Sequence, residues 1–453
     1  MHSSVSRVSS MRCGLLLGFA TLVLAGVLAA PPPAGAAHLW AQSWDPRPGY
    51  DVFGVSVAAA PGGDVYAAAT PCSTSHEPCG IAVARYTENG TRLWGKLPIV
   101  AQGSGLAGIA SDPGGNLVIA GYAPSGGGGS EWWIAKLSPK GATLWVRRLA
   151  GVRGTANEAR AVLTDPSGNI FVCGTLVRSG ALPDAALVRL EPVRGRVLWQ
   201  QLIDGGVNRY DQATALARDP SGRIYMTGSL FSGGTLDDVF VAAFTPGGRR
   251  VWTQTWNNPQ ADENDYAFDI AASRTTVAVV GSTPGAWDAV YDTWDRDGLI
   301  LAYSSAGRSR WQYTEHGMAP WGDFCAAHAD DAGNVAAAGS LVNGTTADYK
   351  AMLVMLSPAG IVHHSVSLPN GAFRGSFAAM ASDGSSLVAV GSTATVLGAT
   401  DALLCTVTPG LQNWMSTFAG GPGTSVVGSD VLCQDGGIYV GAAVGNRLGL
   451  VRF

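Results

Sequence analysis

The chain reads as an all-β protein: an eight-bladed β-propeller of four-stranded antiparallel blades, closed by its own N-terminal strand. Three observations predict this. A unit of about 52 residues recurs along nearly the whole chain, its two turns, most of them glycine-bearing, return at nearly fixed offsets, and the two ends of the chain each hold part of one further unit. Repeats are the first thing to look for, because missing them misassigns the fold.

The first turn reads APGGDVY at 60–66, DPGGNLV at 112–118, DPSGNIF at 165–171 and DPSGRIY at 219–225. It returns, degraded, as SRTTVAV at 273–279, DAGNVAA at 331–337, DGSSLVA at 383–389 and DGGIYV at 435–440. The second turn lies between an apolar run and a tryptophan: TENGTRLW ends at Trp94, LSPKGATLW at Trp145, LEPVRGRVLW at Trp199 and FTPGGRRVW at Trp252. Further copies end at Trp311, at His364 where the tryptophan is lost, and at Trp414. Short β-rich runs bounded by Asp, Pro, Gly and Ser are antiparallel hairpins. Each unit is therefore four strands: a small-residue strand a, a strand b after the first turn, an apolar strand c, and a strand d carrying Leu-Trp. Small residues suit the crowded centre of a ring, and tryptophan suits the widening wedge between blades. Four short strands at this period indicate blades rather than a solenoid.

The termini set the count. Residues 428–453 supply strands a to c of a last unit and stop, while LWAQSW at 39–44 is a strand d with nothing before it. Pairing the two closes the ring and covers strand edges that would otherwise invite aggregation. Seven is the alternative count if the degenerate fifth to seventh copies are out of register.

Residues 1–37 form a secretory signal: Arg7 and Arg12, an apolar stretch from Leu15 to Ala30, then the small residues Ala34-Gly35-Ala36. An uncleaved membrane anchor is the alternative for this stretch. Residues 38–453 then make one propeller domain, secreted or periplasmic, without a later membrane span. Removing Arg7 and Arg12 from the 29 basic residues leaves 27 against 33 acidic ones, a balance of −6. No basic patch stands out, which excludes a nucleic-acid binder. In an oxidising compartment Cys72 and Cys79, flanking the loop PCSTSHEPC, are expected to form a local disulfide.

The D-x-x-G-N-x-Y turn, the Gly-Ser or Gly-Thr end of strand b, the acid before strand c and the SPxG-x-x-LW hairpin resemble the bacterial secreted β-propeller repeat family. The Gly-x-x-Leu-Trp ending also resembles the tryptophan-docking repeat of quinoprotein-like propellers. The first resemblance implies binding or scaffolding without a shared reaction. The second implies, for its dehydrogenases, a pair of adjacent cysteines beside a quinone, and this sequence has none.

Residues that recur from blade to blade are scaffold first. This covers Glu131, Asp184, Asp238, Asp297, Asp348 and Asp401, each before strand c, and the turn acids Asp112, Asp165 and Asp219. The run 103–108 matches G-x-G-x-x-G, but it leads into a strand rather than a helix, so no dinucleotide site is expected. Asp51, Glu158, Asp211, Asp265 and Asp323 lie just before strand a and are read as a partial acidic ring at the channel mouth.

Where the repeat breaks is more informative. The b–c loop of the fifth unit, STPGAWDAVYDTWDRD at 282–297, is the longest and brings Trp287, Asp288, Tyr291, Asp292, Trp294 and Asp295. The connection before it adds Asp262, Asp265 and Tyr266, and the one after it Trp321 and Asp323. Carboxylates among exposed aromatics suit a glycan, whose rings stack on the aromatics, or a protein partner. Asp262, Asp265, Asp288 and Asp292 are the set that would hold calcium, which takes about six to eight oxygens. The expectation is a monomeric, exported, non-enzymatic module that binds a protein, a glycan or a cell-surface polymer through this sector, with no cofactor beyond calcium. The alternative is a quinoprotein-like oxidoreductase or a polysaccharide-active enzyme using the same acids.

Overall fold

The structure is a computed structural model. It describes residues 39–453 apart from 74, 179–181, 207–208, 232–235, 262, 289–292, 317–321, 344–347, 368–374, 395–399, 409–412 and 421–423. Its strands form eight four-stranded antiparallel sheets in a ring. Blade 1 shows the pattern, with strand a Asp51–Ala59, strand b Val65–Cys72, strand c Ile81–Tyr86 and strand d Arg92–Ile99. Blades 2 to 7 follow at 105–149, 158–203, 212–256, 266–315, 323–367 and 375–418. Blade 8 takes Val426–Gln434, Gly437–Val444 and Arg447–Arg452 from the C-terminus, and its strand d is Trp40–Trp44. Trp40 lies opposite Arg452 and Trp44 opposite Leu448, so the first strand completes the last blade. No helix among the described residues is long and apolar enough to cross a membrane.

The repeated tryptophan has a precise partner. The Trp94, Trp145, Trp199, Trp252 and Trp311 indoles each donate to a carbonyl in the c–d turn of the next blade: Pro139, Pro192, Pro246, Ser305 and Pro358. Trp40 does the same to Glu88 of blade 1 at 2.8 Å, which carries the pattern across the closure. The glycine of that turn lies against the indole ring. A Cβ on Gly195 would stand 2.6 Å from Trp145, and Gly195 has φ +63°, so the motif needs glycine twice over.

The first turn is held by its own acid. Asp165 accepts from the amides of Ser167 and Asn169, both at 2.9 Å, and Asp219 accepts from Arg223 at 3.0 Å. These side-chain-to-backbone bonds are what short acids at a turn provide. Strand a carries a bulge in every blade, for example between Ala159 and Ala161. Next to that bulge, Asp269 of blade 5 accepts from the Ala327 amide of blade 6, and Asp430 of blade 8 from the Val57 amide of blade 1, each at 2.9 Å.

The expected Cys72–Cys79 disulfide is not formed, and both are free thiols. The cause is register. Cys72 pairs with Pro78, and the Cys79 amide donates to the Pro71 carbonyl. The two cysteines are therefore one step out of register, and alternate residues of a strand point to opposite faces. The Cys72 thiol donates to Thr70 and the Cys79 thiol to Glu77. Cys173 and Cys405 are buried free thiols and Cys433 is a half-buried one.

The antiparallel registers sort the loops onto two faces. The start of strand a lies opposite the end of b, as Tyr266 does Ser282, and the start of c opposite the end of d, as Gly298 does Glu315. One face thus carries the short a–b and c–d turns, and the other the variable b–c and d–a loops.

Candidate functional site

Blade 5 breaks the regularity of the loop face. Its strands b and c, Thr276–Asp288 and Thr293–Ser304, have 13 and 12 residues, while strands elsewhere have five to nine. Strand a ends its pairing with b at Ser282, yet b and c continue to pair to Asp288 and Thr293. The excess of six residues is a two-stranded ribbon standing about 20 Å beyond the blade at 3.3 Å per residue. Its register sets Trp287 opposite Trp294.

The base of the ribbon is held by a residue that reading the acids alone did not single out. Arg296 donates to the Asn264 carbonyl at 2.6 Å and to the Ser282 carbonyl and hydroxyl at 3.0 and 2.9 Å. Its guanidinium lies 4.8 Å from the centre of the Tyr266 ring. Burial lowers its pKa, and Tyr266, Asp265 and Asp323 oppose that fall. An arginine buried among carboxylates is the expected neutralising partner, because its fork satisfies several acceptors at once.

Asp265 is fully buried and accepts from the Asn258 amide at 2.9 Å and the Thr283 hydroxyl at 2.7 Å. Burial pushes its pKa up to about 6. Asp323 opens strand a of blade 6, accepts from the Ser340 hydroxyl at 2.9 Å, and is likewise pushed up by burial to about 6. Asn258 also reaches Thr283 and the Pro284 carbonyl. On the far side, Asp297 is 4% exposed and meets the Nδ1 of the exposed His316 at 2.6 Å. The structure thus brings Asp265, Tyr266 and Asp323 together around Arg296, as a frame that fixes the ribbon rather than as open ligands.

Asp295 is half-buried in strand c. Asp288 and the two tryptophans are placed by their backbone only, and Asp262, Tyr291, Asp292 and Trp321 lie outside the described residues. Of the four acids named for calcium, Asp265 already has both oxygens engaged.

The expected acidic ring divides into two positions. Glu158, Asp323 and Asp51 open strand a, opposite Thr175, Ser340 and Cys72. Asp211 and Asp265 sit before it, fully buried. Asp211 accepts from the Gly205 and Phe231 amides at 2.9 and 2.8 Å, and Asn157 does the same job in blade 3, accepting from Val177 at 2.7 Å. These side chains tie the d–a loop to the end of strand b.

One acidic cluster was not singled out as a set by sequence. A carboxylate oxygen from each of Asp184, Asp204 and Asp211 lies within 4.8 Å of the others. Burial, assisted by Asp204 and Asp184, pushes Asp211 up to about 6. The signal in the sequence is Asp204 and Asp211 at the two ends of the short connection DGGVNRYD, with Asp184 more than a strand away.

No family model matches the chain, and no curated protein matches it. Solved structures do. Sqt1 from Chaetomium thermophilum aligns with 89% of this chain and 96% of its own at 12% identity and a TM-score of 0.52. The quinohemoprotein alcohol dehydrogenase from Comamonas testosteroni aligns with 92% of this chain and 76% of its own at 10% identity and a TM-score of 0.54. At such identities the likeness is one of fold, and the fold this chain shares with them is the β-propeller.

Proposed function

We propose that this chain is an exported, non-enzymatic binding module of the secreted β-propeller repeat type, holding a glycan or protein partner on the loop face at blade 5. The observation that carries this reading is the ribbon, the longest b–c pairing beyond a blade among the described residues, clamped at its root by Arg296. Variable loops on a stiff scaffold are where recognition sits. A preformed ribbon also loses little conformational freedom on binding. Tryptophans at 287 and 294 supply the apolar area that sugar rings or protein side chains stack on. The N-terminal signal supports export.

The test replaces residues 285–295 by Asn-Gly, a two-residue hairpin turn, and compares this variant, Trp287→Ala and Trp294→Ala with wild type on a glycan array and on isolated cell-envelope material. Loss of binding in all three, with melting temperature unchanged, is expected. Undiminished binding by the shortened ribbon rejects the site. The oxidoreductase alternative draws no support from the cysteines, since no two are adjacent. A purified protein with a visible quinone absorbance band would revive it.

A further inference from the structure

A second feature of the loop face lies three blades away, on blade 2, and owes nothing to the ribbon. The b–c loop of blade 2 is the run Ser125-Gly126-Gly127-Gly128-Gly129, between strands Leu117–Pro124 and Ser130–Leu137. It packs against residues 150–157, which join strand d of blade 2 to strand a of blade 3. The Ser130 amide donates to Thr155 and the Asn157 amide to Ser130, both at 3.1 Å. The glycines are required by this fit. A Cβ on Gly129 would lie 2.1 Å from the Thr155 carbonyl oxygen, and one on Gly127 would lie 2.3 Å from Cγ of Arg153. The Arg153 stem is thus laid across bare glycine backbone.

Between the two loops is a hollow of about 190 Å³, lined by Ser125, Gly126, Gly127, Glu131, Val152 and Arg153 among others. Its charges are unevenly matched. Glu131 is paired with Arg148. Asn157 has its amide group and its oxygen engaged by Ser130, Thr155 and Val177. Arg153 is exposed and makes no hydrogen bond or ion pair among the described residues, and neither do the amides of Gly126 and Gly127. An unopposed guanidinium beside free amides in a turn is the donor set that binds an oxyanion, whose two oxygens match the fork while the amides take the remaining lone pairs. On a chain with more acids than bases such a site is local and not a product of net charge.

We propose that this hollow binds one oxyanion, the carboxylate of an acidic sugar or a phosphoryl group, through Arg153 and the amides of Gly126 and Gly127. The volume is below the roughly 300 Å³ at which sites for drug-sized ligands begin, so it takes one charged group with at most the ring that bears it. The site would let the ring grip an anionic polymer at a second point, and it stands whether or not the ribbon binds anything.

Calorimetric titration of the chain from residue 38, which keeps all eight blades, with glucuronate and separately with inorganic phosphate tests this. Two variants address the site. Arg153→Gln removes the charge. Gly126→Leu fills the space, because a Cβ there meets nothing within 4 Å and its φ is not positive. Arg249→Gln, an exposed arginine in a c–d turn on the opposite face, is the control. Binding in about the millimolar range, weakened about tenfold or more by both site variants and unchanged in the control, is expected. The tighter of the two probes then names the natural source of the anion. No binding of either probe up to about 20 mM, or an equal loss in Arg249→Gln, overturns the proposal.

Discussion

The docking of each tryptophan onto the next blade can be weighed at Trp145. Its side chain is 9% exposed and packs in the core shared by blades 2 and 3. Truncating a buried tryptophan to alanine costs about 3–5 kcal/mol in transfer and cavity terms. The wedge here opens toward solvent, so about 3 kcal/mol is expected for Trp145→Ala. Trp145→Phe should cost only about 1 kcal/mol. It gives up an indole bond of 3.3 Å, but the Pro192 carbonyl keeps its bond from the Lys136 ammonium at 2.8 Å and is not orphaned. Gly195→Ala should cost about 1–2 kcal/mol for its left-handed backbone and about as much again for a Cβ forced against the indole. In a Trp145→Ala background the second part disappears. Urea unfolding followed by circular dichroism on the two single variants and the double variant should therefore show a coupling of about 1–2 kcal/mol. Additivity within about 0.5 kcal/mol, or a cost for Trp145→Ala under about 1 kcal/mol, refutes the docking as the device that joins blades.

Deleting residues 39–44 uncovers the edge of Arg447–Arg452 and removes the Trp40 bond to Glu88. Light scattering should show dimers or larger species, and a stable monomer with an unchanged melting temperature contradicts closure by this strand. Asp269 is pushed by burial to a pKa of about 6, above its unfolded value, so the stability its protonated form contributes is present below about pH 4 and lost as pH rises through about 6. Asp269→Asn should therefore leave the urea midpoint unchanged near pH 4 and raise stability by about 1 kcal/mol at pH 8, after allowance for its half-buried state. An equal effect at both pH values counts against that assignment. Alkylation of the denatured protein without reductant should modify both Cys72 and Cys79, and a peptide pair linked through these residues would show the 71–79 register to be wrong.

The architecture was legible because its determinants are local and repeated eight times. The turn acids bond to amides two to four residues ahead, which a sequence pattern records directly. The tryptophans were visible as a period, but their acceptor atoms lie 45 to 53 residues further on in another blade, and a period does not name an atom. The site was harder to read for the same reason. Asp265 looked like a ligand because it sits in an acidic run. Its partners Asn258 and Thr283 come from the loop before it and the far end of strand b, and burial makes it a fastening. Asp211, Asp265 and Asn157 occupy one position in three blades, which superposing the copies on the turn would have exposed. Arg296 lies among acids in the sequence, and only its burial and its bonds to Asn264 and Ser282 reveal it as the clamp. The Cys72–Cys79 pairing failed on a one-residue register that loop length does not reveal.

The shared eighth blade also sets a timetable. Trp40 leaves the ribosome long before Arg452, the residue it pairs with. Contacts so far apart in sequence form late, since a long loop must close before they are rewarded. Seven blades can be assembled as they are made, each waiting only for the turn of its successor to receive a tryptophan. The first strand has to stay unclaimed until the last one arrives. A protein built this way reports its own completeness, because a truncated chain leaves its opening segment without a place to go.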